Sequence, residues 1–436
     1  MSIEFNEDEL VPPEWLDNTF FQKVVRNIEE CSGVPKIYDL LIRPATQKGD
    51  HYASVMFRAN FKYTCNNSKV KEQIVVIKTV PAQHSAKYQH LNDSHFFANE
   101  ALIYSEVIPQ FEAIWRHYGE NIKFGGRALY SALQPHPVIV LEDLCLAGYD
   151  ILRDRLFSLA EVKACLHKLA CWHAVSHKVT LQQRDVSRTP APTEAEQCER
   201  AARAAVVSLQ YGLFTATNLM NSAYMHNGLR NMIAALEQAG GFEVYLTKLR
   251  AMQPQVLERC LEMNNAYGVG VQGPIYVLNH GDFHTRNLMV RRAADGHVED
   301  TVFIDFQASF LGPSCCDLQY LSITLFERRL RDEKREELFG FYFQCFVEGL
   351  RKLQYTGSIP TFEDFKADCK RWRHFEIYLL ATNLPLTVIN PRKGSNVDIN
   401  RIFNEEKYRT AYYKNPDYIA YLRELLPKYL AEGYLD

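Results

Sequence analysis

The sequence predicts an α+β chain of two lobes, a small sheet-rich one followed by a large, mainly helical one. Three observations predict it. Between residues 36 and 80, and again between 128 and 144, apolar residues fall in short strand-like runs bounded by polar turns. Beyond Gly148 the apolar period lengthens to that of helices, broken by one strand-like island between 274 and 306. The 436 residues also exceed what one minimal core needs, so the chain is expected to divide.

Taken in order, residues 14 to 31 follow Pro12-Pro13 with apolar groups at helical spacing, which predicts a short opening helix on the outside of the sheet. KIYDLLIRPA, HYASVMFRANFKYT and VKEQIVVIKTV read as strands, the last two joined by the polar turn CNNSK into an antiparallel hairpin. In HFFANEALIYSEVIP, Phe97, Ala101, Tyr104 and Ile108 recur every three or four residues, so a helix with one buried face is expected, ending at Pro109. ALYSAL and PVIVLEDL complete the sheet. These elements divide the chain into an extension over 1–34, a small lobe over 35–144 and a large lobe over 145–436.

In the large lobe SLAEVKACLHKLACWHAVSHKV, from 158 to 179, is the clearest helix. The stretch from 180 to 200 is polar, carries two prolines and reads as a surface insertion or flexible connection. Helices resume to about 263, PIYVLNH, NLMVRR and DTVFIDF form the strand island, and helices follow from 314 onward.

Composition narrows the partners. Lys and Arg total 49 against 52 Asp and Glu, a net charge of -3, so there is no basic field for nucleic acid or an anionic membrane. Small molecules or proteins are the expected partners, and a monomer is favoured. The acidic start MSIEFNEDELVPPEW is unlike an export signal, and no apolar run is long enough for a membrane span, which predicts a soluble, cytoplasmic protein. Eleven cysteines without a CxxC pair read as reduced, mostly buried thiols.

Chemistry concentrates in VLNHGDFHTRNLMV, residues 277 to 290. His280, Asp282 and His284 would share one face of an extended segment, as a zinc or iron triad does, but the segment follows a strand and turns, and no second His/Asp cluster supplies further ligands. A second pattern runs through the same residues: Asp282, four residues, Asn287, then a hairpin and the apolar strand VFI ending in Asp305-Phe306. Phosphoryl transfer needs a carboxylate to orient the acceptor hydroxyl and oxygen ligands to hold magnesium on the nucleotide phosphates. Asp282, Asn287 and Asp305 offer those groups in that order.

That pattern resembles the catalytic core of the protein-kinase-like fold, and its HGD form resembles the aminoglycoside phosphotransferase and choline kinase branch. Within that branch, HGDFHTRNLMV together with DFQASFLGPSCCDLQYL most resembles the insect ecdysteroid kinase-like family, with Asp-Phe-Gln where protein kinases have Asp-Phe-Gly. The resemblance implies ATP and magnesium as cofactors and an alcohol acceptor, an ecdysteroid or another hydroxylated lipophile of the kind met in detoxification. A catalytically silent steroid- or nucleotide-binding relative is the rival reading; loss of a core residue would signal it, and the core residues are present.

The resemblance also assigns roles. Lys78, at the end of IVVIK, contacts the nucleotide phosphates; Glu100 in FFANEALIY orients it, with Glu106 as the rival. The turn KGDHYAS, with Gly49 and Ser54, covers the phosphates with one glycine rather than three. Glu142, Asp143 and Leu144 form the hinge against the adenine edge. His173 lies buried under the catalytic loop and His280 organises it. Asp317, near a helix start, is first a cap for that helix, and the resemblance adds a bracing role on the loop. By position alone, Arg286 is a candidate contact to the γ-phosphate, with a solvent-facing side chain as the alternative. Tyr211, Phe214, Trp372, Phe375 and Tyr378 offer aromatic surface in the large lobe, most of it expected to be ordinary core.

Overall fold

The computed structural model of the chain describes residues 7–46, 54–66, 69–81, 95–153, 155–181, 193–209, 212, 214, 215, 223–389, 401, 402 and 405–436. Gly49 and Tyr211 lie outside the described residues.

The small lobe is one antiparallel sheet: β1 (Lys36–Pro44), β2 (Val55–Thr64), β3 (Lys71–Thr79), β4 (Ala128–Ala132) and β5 (Val138–Glu142), in the order β1-β2-β3-β5-β4. Alternation decides its two faces. Val55, Phe57, Ala59, Phe61 and Tyr63 of β2, with Val75 and Ile77 of β3, form a buried layer with Phe20, Phe21, Val24 and Val25 of helix α1 (Asn18–Ile28). Met56, Arg58, Val76 and Lys78 project from the opposite face and line the cleft below. Lys78 therefore sits on the cleft side because it is one residue out of phase with the apolar layer. α1 itself starts at Asp17, whose side chain caps the Phe20 amide at 2.9 Å.

Three expectations are corrected here. Pro109 does not end the helix after residue 95: α2 (Phe96–Leu102) passes through a π-helical turn (Ile103–Val107) into α3 (Ile108–His117). Pro109 falls in the first turn of α3, where a missing amide is tolerated. The polar stretch from 180 to 200 is not connection throughout, because α5 (Glu194–Ser208) begins within it, opened by a reciprocal Thr193–Glu196 capping box. Cys31 and Cys65, read as thiols, are bonded to each other, since α1 packing on the sheet brings their Cα atoms to 5.6 Å. The other nine cysteines are free.

The large lobe is built around α4 (Leu159–Leu181), most of whose residues are buried. It packs against β7 (Tyr276–Asn279) and against α10 (Arg328–Lys352). The strand island resolves into two small sheets. β7 pairs with β10 (Phe310–Pro313), while β8 (Leu288–Arg292) lies between β6 (Tyr149–Ile151) and β9 (Val298–Phe303). The short β6 and β10 are too brief for their sequences to announce. α6 (Ala223–Ala239), α7 (Glu243–Met252) and α8 (Val256–Asn265) precede the island; α9 (Cys315–Thr324), α11 (Phe362–Arg371), α12 (Arg373–Ile389), α13 (Glu406–Tyr413) and α14 (Pro416–Ala431) complete the described helices. Phe214, Trp372, Phe375 and Tyr378 are buried, with Phe214 edge-on to both Phe375 and Tyr378, so they serve as core. No helix among the described residues is long and apolar enough to cross a membrane.

Candidate active site

The cleft between the lobes is lined from both sides, by Lys78 and Glu100 above and by Asn287, Met289 and Asp305 below. At its inner end Lys78 lies 2.6 Å from Glu100 on α2 and 2.7 Å from Asp305, which follows β9. The Lys78 and Glu100 side chains are 5% and 1% exposed, so neither charge is well served by water and each depends on its partner. Burial works against the Lys78 ammonium, but Asp305 and Glu100 outweigh it and raise its pKa. Burial likewise drives the Glu100 carboxyl upward, against the pull of Lys78. Glu106, the rival partner, is exposed.

The catalytic-loop candidate runs from Asn279 to Leu288. Gly281 has φ +82°, and a Cβ there would stand 2.1 Å from the Ala308 carbonyl oxygen, so only glycine fits. Asp317, buried in the first turn of α9, accepts the His280 amide at 2.6 Å and the Gly281 amide at 2.9 Å. It braces the loop and makes no cap for its own helix. His173 Nε2 lies 3.3 Å from the same carboxylate, and Tyr342 holds the other ring nitrogen at 2.6 Å. His280 spans to the Ile304 carbonyl at 2.9 Å. Burial lowers the pKa of both histidines, which fits neutral rings that organise the loop.

Asp282 is held on both oxygens. Tyr320 donates its hydroxyl to Oδ1 at 2.6 Å. Asn287 donates to Oδ2 at 3.2 Å and to the Asp282 carbonyl at 2.8 Å, and His284 lies 3.5 Å from Oδ2. Burial would raise the Asp282 carboxyl, but His284 and Tyr320 outweigh it and hold it well below the usual carboxylate range. Ile304 donates its amide to the Asn287 carbonyl at 3.0 Å, which brings Asp305 next in chain to Asn287 on the cleft wall.

A protein-family model described as the ecdysteroid kinase-like family matches residues 48–355. The chain belongs to the ecdysteroid kinase-like family. Its small antiparallel lobe over a helical one is the kinase-like architecture expected of that family. Among solved structures, choline kinase LicA from Streptococcus pneumoniae is similar at a TM-score of 0.33 and 10% identity, covering 89% of this chain and 94% of that one. Amicoumacin kinase hAmiN in complex with AMP-PNP, Ca2+ and Ami is similar at 0.33 and 12% identity, covering 92% and 93%. No curated protein matches the sequence as a relative.

In this member of the ecdysteroid kinase-like family the hinge candidates Glu142, Asp143 and Leu144 all line the cleft. The carboxylate of Asp143 is taken by Arg58 at 2.6 Å, and Glu142 is paired with Lys123 and with the Arg127 amide at 2.7 Å. Those side chains tie the candidate hinge to β2 and to the segment before β4. Ser54 is buried at the start of β2 rather than on the described cleft wall.

Among the described residues, Asn287 and Asp305 could hold a metal. Asn287 gives its amide nitrogen to Asp282, which leaves an amide oxygen, and Asp305 supplies a carboxylate: hard donors suited to magnesium. Among the described residues no group of three or more His, Cys, Asp or Glu could hold a metal ion, so a zinc triad at His280, Asp282 and His284 is not formed. A cation on these two oxygens would complete its shell from phosphate and water.

Sequence reasoning missed Tyr320 and Asn383, which donates to the Tyr320 hydroxyl at 2.7 Å. A signal existed for the first: Tyr320 follows Asp317 by three residues, one helical turn, so both face the catalytic loop. Nothing in the local sequence singles out Asn383.

Proposed function

We propose that the protein is an ATP-dependent kinase that transfers the γ-phosphoryl group to an alcohol of a lipophilic small molecule, an ecdysteroid being the first candidate. The observation that carries the reading is the meeting, at one cleft, of the Lys78–Glu100–Asp305 ion cluster with Asn287, which in turn holds Asp282. Apolar walls from Val76, Leu141, Met289 and Ile304 suit a flat ring such as a purine.

In this mechanism Lys78 binds the α and β phosphates, positioned by Glu100, and gives up part of its contact with Asp305 to do so. Asn287 and Asp305 would hold magnesium, which when bound neutralises charge on the transferring phosphates. Asp282 orients the acceptor hydroxyl for in-line attack and receives its proton as the new P–O bond forms and ADP leaves. Alignment and charge neutralisation then supply most of the acceleration. The preference for an ecdysteroid rests on family membership.

The test is incubation with ATP, magnesium and a panel of ecdysteroids and hydroxylated plant compounds, followed by mass spectrometry for an added phosphate. A phosphorylated steroid is expected. Phosphorylated plant alcohols without any steroid product would move the acceptor to detoxification substrates. No product from any alcohol, with no ATP binding in calorimetry, would sink the kinase reading.

A further inference from the structure

We propose that Tyr320 is a positioning residue for phosphoryl transfer: seated by Asn383, its phenol fixes Oδ1 of Asp282, so that Oδ2 is the oxygen offered to the acceptor hydroxyl. This rests on the phosphotransfer reading of Asp282.

The direction of the hydrogen bonds follows from the chemistry of the three groups. Asn383, on α12, donates its amide nitrogen to the Tyr320 oxygen at 2.7 Å, and an amide nitrogen can only donate. The phenol therefore receives on its oxygen and has one proton to give. Its other partner is Asp282 Oδ1, at 2.6 Å, an acceptor-only carboxylate oxygen. Tyr320 is 3% exposed, so water competes little for that proton.

A carboxylate needs such a hold. The terminal torsion of aspartate is broad, so a carboxylate fixed at neither oxygen samples a wide range of planes. Here the loop's own Asn287 and His284 reach Oδ2 at 3.2 and 3.5 Å, longer contacts, while the short bond to Oδ1 comes from a separate helix, α9, itself linked to α12. The shortest hold on the base thus comes from the helical body of the large lobe.

The contact and its consequence are tested separately. With 3-fluorotyrosine incorporated at position 320, the ¹⁹F resonance is expected to move on Asp282→Asn and on Asn383→Leu; an unmoved resonance in both would overturn the contact. In the phosphorylation of ecdysone by ATP, Tyr320→Phe is expected to lower kcat about tenfold, the worth of one hydrogen bond to a charged group, with KM for ATP unchanged. The 3-fluorotyrosine protein, which keeps ring and hydroxyl, should retain kcat within about twofold, and it stands in as the folded reference if Tyr320→Phe is unstable. In that event Asn383→Leu is read for a kcat loss instead. An active wild type with unchanged kcat in the variant read, Tyr320→Phe or its substitute Asn383→Leu, removes the positioning role and leaves the kinase reading intact. A wild type that phosphorylates no alcohol removes both, whatever the ¹⁹F signal does.

Discussion

Lys78 and Asp305 are joined across the cleft at 2.7 Å, one from the small lobe's sheet and the other from the end of a large-lobe strand. Glu100 sits 2.6 Å from the same ammonium, so one cation separates two carboxylates in a nearly dry place. Removing that cation leaves the carboxylates facing each other. Lys78→Met should therefore cost about 3–5 kcal/mol of stability as well as activity. Lys78→Met with Glu100→Gln should recover much of the stability and none of the activity. Guanidinium unfolding of the single and double variants decides it; equal midpoints would mean that the ion cluster does not hold the lobes.

Asp305 occupies the left-handed region, φ +64° and ψ +60°, a conformation that asparagine accepts more readily than alanine. Asp305→Asn should fold close to wild type and Asp305→Ala should be about 1 kcal/mol less stable than it. Both should lack phosphoryl transfer. Comparing melting and activity of the two separates backbone strain from the loss of the proposed magnesium ligand, and full activity in either would refute the role of Asp305.

Glu161, in the first turn of α4, binds Arg155 at 2.7 Å through each oxygen, accepts the Ser158 amide at 2.7 Å and pairs with Arg292 of β8. Burial alone would raise its carboxyl from the ordinary 4.5, but Arg155, Arg292 and Ser158 outweigh it and hold it down at about 2. A depressed carboxyl contributes stability that is present above its unfolded pKa and lost as pH falls through the folded one. Glu161→Gln should thus be about 2 kcal/mol less stable than wild type at pH 7, with the gap closing between pH 4.5 and pH 2. Urea melts across that range test it; a gap constant with pH would contradict the linkage.

The sheet, α1, α4 and the strand island were legible because each carries a strong apolar period, and the spacing from Asp282 to Asn287 to Asp305 singled out residues of which Asn287 and Asp305 line the cleft. What was not legible depends on packing between distant segments. The π-helical turn before Pro109 lets a helix run through a residue that ordinarily stops one. The Cys31–Cys65 bond needs α1 laid on the sheet, and the Asn383–Tyr320–Asp282 chain needs α12 beside α9. No spacing rule in one sequence reports such meetings.

Gly281 gives the most local test of the catalytic-loop geometry. An added methyl group would meet the Ala308 carbonyl oxygen at 2.1 Å, and φ at +82° is unfavourable for any side chain. The two effects together should make Gly281→Ala about 3 kcal/mol less stable. The obstacle is a backbone oxygen, so shortening the neighbour with Ala308→Gly should not restore the protein. The loop's only escape is to move, which would pull the His280 and Gly281 amides from Asp317 and displace Asp282. Activity should therefore fall further than the loss of folded protein at the assay temperature explains. Rates normalised to the folded fraction, measured by circular dichroism, make the comparison; wild-type normalised rates would show that the loop tolerates the shift.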